Sequence, residues 1–273
     1  MLTTVIIPAR RCACRQAARI AAQLGPGDRI VVVRNGPAAP CPYCDGSDQV
    51  GVVVTLRYPM PLGAATARNA GAASAPEADI LAFTDDDDLV SPDWLGTLIR
   101  PLRDGLADLV GGVLLVHGSD EPAVVRPGVD YWHAQALFGA NMAVSRVAWD
   151  LLGGFDPSFT CCEDTDLAWR AERTGLRLVV ALGAVVNHTP RRPRHEFLQR
   201  VRWGVGAVRL LRAHGVSSAQ LPNLRTLLRH KQECGYCGDP WVAALGQWIG
   251  QWLGYLAHLR LASSGKPNTV GAP

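Results

Sequence analysis

Lysine is nearly missing from this 273-residue chain: Lys231 and Lys266 are the only lysines among its 27 basic residues, and the rest are arginine. Arginine dominance of this kind also follows from genomic base composition, so it identifies no partner by itself. The formal net charge of +3 is too small for wholesale electrostatic binding of nucleic acid. The amino terminus has no cationic leader and no small-residue cleavage site; Met1-Leu2-Thr3-Thr4-Val5-Ile6-Ile7-Pro8 reads as a strand rather than an export signal. The eight cysteines are accordingly expected in a reducing compartment, with thiol, metal or redox roles rather than a disulfide framework. No repeat period appears. With 48% apolar and 19% charged residues, 28 Gly and 19 Pro, the chain lies outside the disordered, collagenous and coiled-coil classes. Its length suits one large domain, or one domain with a helical appendage.

What is present is a run of short apolar, β-branched segments, at 5–7, 30–33, 50–56, 80–84 and 109–116, separated by helical stretches. That alternation predicts an α/β fold with a mainly parallel sheet flanked by helices. The first, second and fourth segments end in Pro8-Ala9-Arg10, Arg34-Asn35-Gly36-Pro37 and Asp85 to Asp88. Ligands of open α/β sheets sit beyond the carboxyl ends of the strands, so three strand ends mark one crevice. Further on, the pattern predicts a helix near 129–138, a strand at 140–144, a helix over 164–174 closed by Gly175, and strands at 176–181 and 184–187 leading to His188. From about 190 the chain reads as helices to about 262.

Asp85-Asp86-Asp87-Asp88 lies between an apolar strand and a helix opened by Ser91-Pro92-Asp93-Trp94. Four adjacent carboxylates repel unless a cation neutralises them, and their oxygens suit a hard Mg or Mn ion with positions open to phosphate. The other reading is a solvated acidic loop that caps the next helix. A second acidic cluster, Glu163-Asp164-Thr165-Asp166, opens a helix, where the dipole alone favours carboxylates. It falls between Gly153-Gly154-Phe155-Asp156 and the apolar stretch ending at Asn187-His188. His188 reads as a satisfied structural histidine or as a ligand.

Taken in order, these segments resemble glycosyltransferase family 2, the inverting nucleotide-sugar transferases of the GT-A fold. Val5-Ile6-Ile7-Pro8 resembles the opening strand, and Gly63 with Ala67-Arg68-Asn69-Ala70-Gly71 resembles the G-x-x-x-A-R-N-x-G segment. Asp85 to Asp88 with Pro92-Asp93-Trp94-Leu95 resembles the D-x-D region and its helix. Gly139-Ala140-Asn141-Met142-Ala143, Gly153-Gly154-Phe155-Asp156 and Glu163-Asp164-Thr165-Asp166-Leu167 complete the set. The resemblance implies a GT-A-like (Rossmann-like) catalytic domain over 1–190 and a C-terminal helical region over 191–273 on the acceptor side.

It further implies a nucleotide-sugar donor held by Pro8, Ala9, Arg10, Asn35, Arg68, Asp85, Asp86, Gly139 and Asn141, and Mn(II) or Mg(II) at Asp87 with His188. Asp164 matches the base that takes the acceptor hydroxyl proton, with Glu163 and Asp166 orienting it or binding acceptor. A carboxylate in such a place ordinarily has too low a pKa, so it would act late, as the attacking oxygen acidifies. Inversion by single displacement agrees with the lack of a nucleophile motif. Arg34 stands where the family has a base-reading acid; a UDP-sugar is favoured on family prevalence. The alternatives are a sugar nucleotidyltransferase, although no Gly-rich phosphate loop follows the first strand, and a non-catalytic sugar-nucleotide-binding partner protein.

Cys41-Pro42-Tyr43-Cys44 and Cys234-Gly235-Tyr236-Cys237 each resemble half of a structural zinc site; a disulfide, a redox role and free thiols are the other readings. Cys12, Cys14, Cys161 and Cys162 read as bystanders. The arginines at 191, 192, 194, 200, 202, 209 and 212 read as a solvated helix face, a diphosphate clamp or a site for anionic lipid or phosphorylated acceptor. Residues 240–259 carry no formal charge. At helical spacing, Trp241, Leu245, Trp248, Trp252, Tyr255, Leu256 and Leu259 share a stripe, with Gly246, Gly250 and Gly254 opposite. A buried or homodimer-forming helix is expected, with peripheral membrane contact as the alternative; Gln247, Gln251, His258 and the glycines disfavour spanning. The expected partners are the donor and a glycan, lipid-linked or small-molecule acceptor, without nucleic acid. The expected location is cytoplasmic or at the inner face of the membrane.

Overall fold

The computed structural model describes residues 1–37, 52–117, 122–125, 137–188, 193–217, 223–227 and 240–263. It divides into two compact units, Met1–Pro190 and Arg191–Pro273. Both C-x-x-C pairs, Cys41 with Cys44 and Cys234 with Cys237, lie outside the described residues, as does most of the helix expected over 129–138.

In the first unit the chain runs β1 (Thr3–Ala9), α1 (Cys14–Ala21), β2 (Arg29–Asn35), β3 (Val53–Tyr58), α2 (Ala64–Ala73), β4 (Ile80–Thr84), β5 (Leu89–Val90) and α3 (Trp94–Arg103). It continues through β6 (Leu109–His117), β7 (Pro122–Val125), β8 (Asn141–Ser145), α4 (Arg146–Leu152), α5 (Glu163–Arg173) and β9 (Leu178–His188). One sheet orders them β3-β2-β1-β4-β8-β6-β9-β5, with β7 beside β6. Strands β1 to β4 are parallel; β1, β2 and β4 are buried along nearly their whole length, whereas edge strand β3 is half-buried, with Val54 and Arg57 exposed. Ile6, Val31, Val33, Leu81 and Phe83 join Met142, Trp149, Phe155 and Leu167 in one core. The intervening Val5, Ile7, Ile30 and Val32 are equally buried, and the period of two turns them to the other face.

The sheet is mixed rather than mainly parallel: β8 runs antiparallel to β4 and β6, β7 antiparallel to β6, and β5 antiparallel to β9. A five-residue buried run such as Asn141–Ser145 has the same apolar pattern in either direction, so its sense is set by the connections. The two strands expected at 176–181 and 184–187 are one strand, β9, with an irregularity opposite Gly111 to Val113 of β6. Asn141 bridges that irregularity: its Nδ2 donates to the Val113 and Ala184 carbonyls at 2.9 Å each, and its Oδ1 accepts from Trp94 Nε1 at 2.8 Å. Helix α4, not foreseen from sequence, starts at Ser145, whose hydroxyl accepts from the Ala148 N–H, and ends in Gly153 at φ 71°.

In the second unit α6 (Pro193–Ala213) packs along α7 (Pro240–Ser263). The contact is backbone on backbone: a Cβ at Gly250 would lie 1.9 Å from the Val201 carbonyl oxygen, and one at Gly204 2.1 Å from that of Gln247. Helix α7 is therefore buried through its glycine side, while Trp252, Leu253, Tyr255 and Leu256 remain exposed. Among the described residues, no helix is long and apolar enough to cross a membrane.

Gly250→Ala should destabilise the second unit by about 1–3 kcal/mol, since a backbone oxygen cannot swing aside. Gly96→Ala, in α3 with nothing within 4 Å of its Cβ, should stabilise the first unit by about 0.5–1 kcal/mol. Urea titrations of both variants measure the contrast, and equal effects would remove the close-packing account of α6 and α7.

Candidate active site

The acidic segment beyond β4 is held at both ends and along its length. Gln16, buried on α1, donates from Nε2 to Thr84 Oγ1 at 2.9 Å and accepts at Oε1 from the Val90 N–H at 3.2 Å. Asp86 Oδ2 accepts the backbone N–H groups of Arg10 at 2.8 Å and Arg11 at 2.7 Å, so it fixes the loop after β1. The antiparallel register sets Leu89 opposite Asn187, and this brings Asp88 Oδ1 to 2.6 Å from His188 Nδ1. Burial, with lesser repulsion from Asp85 and Asp87, pushes the Asp88 carboxyl up to about 6 against the pull of His188. Burial alone would lower His188; its hydrogen bond to Asp88 and the surrounding aspartates raise it overall.

Ligand oxygens of Asp85, Asp87 and Asp88 lie within 4.8 Å of one another. Asp88 Oδ2 is buried with no hydrogen-bond partner. Three hard oxygen donors with one unsatisfied buried lone pair fit a divalent cation of the Mg or Mn type. The structure thus joins Asp87 to Asp85 and Asp88, and turns His188 Nδ1 toward Asp88. Asp88 is the residue that sequence reasoning missed. The signal was the dipeptide Leu89-Val90, too short to stand out as a strand that would pair with the stretch before His188.

Arg68, only 4% exposed, donates from Nη2 to Asp85 Oδ1 at 2.8 Å and from Nη1 to Glu163 Oε1 at 2.7 Å. Burial would weaken its charge, but Asp85, Glu163 and Asp164 outweigh that and raise its pKa further. The guanidinium also lies 5.5 Å from the Phe155 ring centre. Gly139 is required beside it, because a Cβ there would be 2.8 Å from Nη1. The next residue, Asn69, donates to the Phe155 carbonyl at 2.7 Å and accepts the Phe155 N–H at 3.0 Å, clamping the Gly153-Gly154 turn. Gly71 then lets α2 approach β1, where a Cβ would meet Ile6 at 2.5 Å. Arg68, Asn69 and Gly71 of the A-R-N-x-G segment therefore each have a separate physical task.

Asp164, half-buried at the start of α5, accepts the Gly139 N–H at Oδ2 (2.9 Å) and the Thr165 N–H at Oδ1 (2.8 Å). Burial and then the Glu163 charge push its pKa up to about 6, against the Gly139 N–H and Arg68. Loss of water outweighs the favourable N–H groups at this helix start. Asp166 pairs with Arg170 at 2.8 Å. Arg170 in turn donates to the Leu152 and Gly154 carbonyls, so Asp166 ties α5 to the glycine turn.

Among the other assigned donor contacts, Ala9 is fully buried at the end of β1, next to Pro8. Asn35 accepts the Leu62 N–H and donates to the Gly63 carbonyl, which locks the end of β2 to the start of α2. Asn141 is corrected: fully buried with its three hydrogen bonds inside the core, it is a stitch between β6 and β9, not a donor contact. The cysteines read as bystanders form two close pairs. Cys12 Sγ lies 2.7 Å from Cys14 Sγ, and a hydrogen bond between Cys161 and Cys162 lowers the first thiol and raises the second.

Comparison with known proteins places this geometry. The model of Glycosyl transferase family 2 matches residues 4–141, and that of Glycosyl transferase family group 2 matches residues 80–264. Pre-mycofactocin glycosyltransferase of Mycobacterium tuberculosis (strain CDC 1551 / Oshkosh) is 30% identical across 95% of this chain, and the protein of strain H37Rv matches equally. The chain spans 55% of those relatives' length. Among solved structures, GalNAc-T7 with UDP, GalNAc and Mn2+ aligns with a TM-score of 0.62 at 15% identity, over 96% of this chain and 57% of the other. The mannosyltransferase PcManGT of Pyrobaculum calidifontis, in complex with GDP-Man and Mn2+, aligns at 0.59 and 18% identity, over 99% and 76%. These likenesses show the GT-A fold. With both family models covering half or more of its length and the motif residues meeting around Arg68, the chain belongs to glycosyltransferase family 2.

Proposed function

We propose that this chain is a metal-dependent, inverting hexosyltransferase, moving a sugar from a nucleoside diphosphate donor to an acceptor hydroxyl with Asp164 as base. The observation that carries the reading is the Arg68 bridge, which ties the aspartate triad after β4 to the carboxylates opening α5. Asp85, Asp87 and Asp88 would hold the divalent ion, which when bound supplies positive charge to the departing diphosphate. His188 holds Asp88 in place, and Asp86 keeps the Arg10-Arg11 backbone folded over the same strand end. The two relatives of like fold contain Mn2+, one with UDP and one with GDP-Man, which supports the donor class. A UDP-sugar remains the favoured donor, with GDP- and dTDP-sugars the alternatives.

The chemistry is a single displacement. The acceptor oxygen forms a bond to the anomeric carbon as the bond to the diphosphate breaks, and the acceptor proton goes to the Asp164 carboxylate. A base near 6 is ionised at neutral pH yet basic enough to accept a proton late in the attack. Glu163, held by Arg68, keeps the start of α5 oriented.

The assignments separate by experiment. Asp87→Ala should abolish metal-dependent donor binding in calorimetry, whereas Asp164→Asn should keep that binding and lower transfer by roughly 10²–10⁴-fold. Parallel losses in both assays would sink the division of roles. Because the active form is the carboxylate, kcat/KM should rise about tenfold per pH unit below the Asp164 value of about 6 and level off above it. A rate that falls as pH rises through that window contradicts the base assignment. Arg68→Lys cannot donate to two carboxylates in a planar fork, and should cost about 3 kcal/mol of stability in urea titration as a buried pair is broken.

A further inference from the structure

The second unit carries a surface that the transfer chemistry leaves unused. Residues 191–273 hold twelve of the 27 Lys and Arg residues but three of the 24 Asp and Glu, a formal charge of +9 that leaves −6 for residues 1–190. On α6, Leu198, Arg202, Val205, Arg209 and Arg212 are exposed at alternating spacings of four and three, which is one helix face. Among the described side chains of α7, Leu245, Trp252, Leu253, Tyr255 and Leu256 are exposed, with Trp252 half exposed at 51%. Trp248, Trp252 and Tyr255 stack edge to face at 6.0 and 6.4 Å.

The two faces adjoin. Helices α6 and α7 run side by side in the same direction, since Gly246 meets Phe197 and Arg200, Gly250 meets Val201, and Gly254 meets Val205 and Val208. Exposed Val205 thus lies against Gly254, which is flanked in sequence by exposed Leu253 and Tyr255, and Tyr255 is close enough to act electrostatically on Arg212. The result is an uncharged aromatic and aliphatic ridge bordered by arginines.

We propose that this ridge lies on an anionic bilayer surface, going beyond the transferase reading and independent of it. Trp and Tyr rings settle at the headgroup level, leucines reach the acyl boundary, and arginines at the edge meet lipid phosphates. A second copy is the poorer occupant, because it would bring a +9 unit against its like. A nucleic acid strand is poorer as well, because the cations flank an apolar ridge instead of tracking along a groove. Among the described residues no helix spans, so the contact is peripheral.

The test is flotation of the full chain with vesicles of phosphatidylcholine alone and of phosphatidylcholine with phosphatidylglycerol. Binding to the mixed vesicles only, weakened by salt and accompanied by a blue shift of Trp emission, is the expected result. The double variant Trp252→Glu with Leu256→Glu should lose vesicle binding. Each of Arg202→Ala, Arg209→Ala and Arg212→Ala should lower it about fivefold. Donor binding, a property of residues 1–190, is measured on the same samples and should not change in any of these variants. That separates failure of the membrane proposal from failure of the transferase reading. The proposal is overturned by folded protein that floats with neither vesicle, by binding that survives the double variant, or by a dimer that the double variant dissociates.

Discussion

Four adjacent carboxylates at the end of a buried strand must each be given a separate way to tolerate the others. Two unit charges about 4 Å apart repel by about 4 kcal/mol at an effective dielectric near 20, so the segment cannot be left to chance. Asp85 is neutralised by Arg68, Asp86 by two backbone N–H groups, and Asp88 by His188, while Asp87 faces solvent. Those partners come from the loop after β1, from α2 and from β9, far apart in sequence. Gln16 closes the arrangement by gripping Thr84 and Val90 on either side. The consequence is a rigid display in which three carboxylates converge and one buried oxygen is still unsatisfied.

The site also depends on one strand, β8, that runs against its neighbours β4 and β6. Antiparallel β8 starts at Asn141, two residues after Gly139, so the backbone N–H that Asp164 accepts sits beside Arg68. The turn at Gly153 and Gly154, clamped by Asn69 and by Arg170, then delivers Phe155 under the guanidinium and α5 behind it. Fold and site are one arrangement around a single buried cation.

Much of this was legible in the sequence, for reasons that are physical. Strands β1, β2 and β4 are continuous apolar runs ending in turn residues, and α5 opens with three acids and is closed by Gly175; such local signals survive any tertiary context. Direction and pairing are not local. The run Asn141–Ser145 could not disclose that it would be antiparallel, and Leu89-Val90 could not disclose that two residues would carry Asp88 to His188. Asn141 sat in a motif with functional company, yet its environment is set by an irregularity between β6 and β9 that no sequence pattern marks. On α7 the glycine and aromatic sides were both readable, but which side would meet α6 depended on glycines allowing contact at backbone distance.

The raised Asp164 carboxyl follows first from burial and then from the way charge is shared. One guanidinium serves Asp85 on one arm and Glu163 on the other, and it lies in the field of Asp164 as well. Three carboxylates therefore divide one positive charge, and the least well placed of them, short of a direct guanidinium bond and partly desolvated, is pushed toward 6. Charge brought to Asp85 is felt at Asp164 through the same group, since relieving one arm of Arg68 leaves more of its field for the other. The aspartate triad after β4 and the carboxylates opening α5 are thus electrostatically coupled across a single side chain.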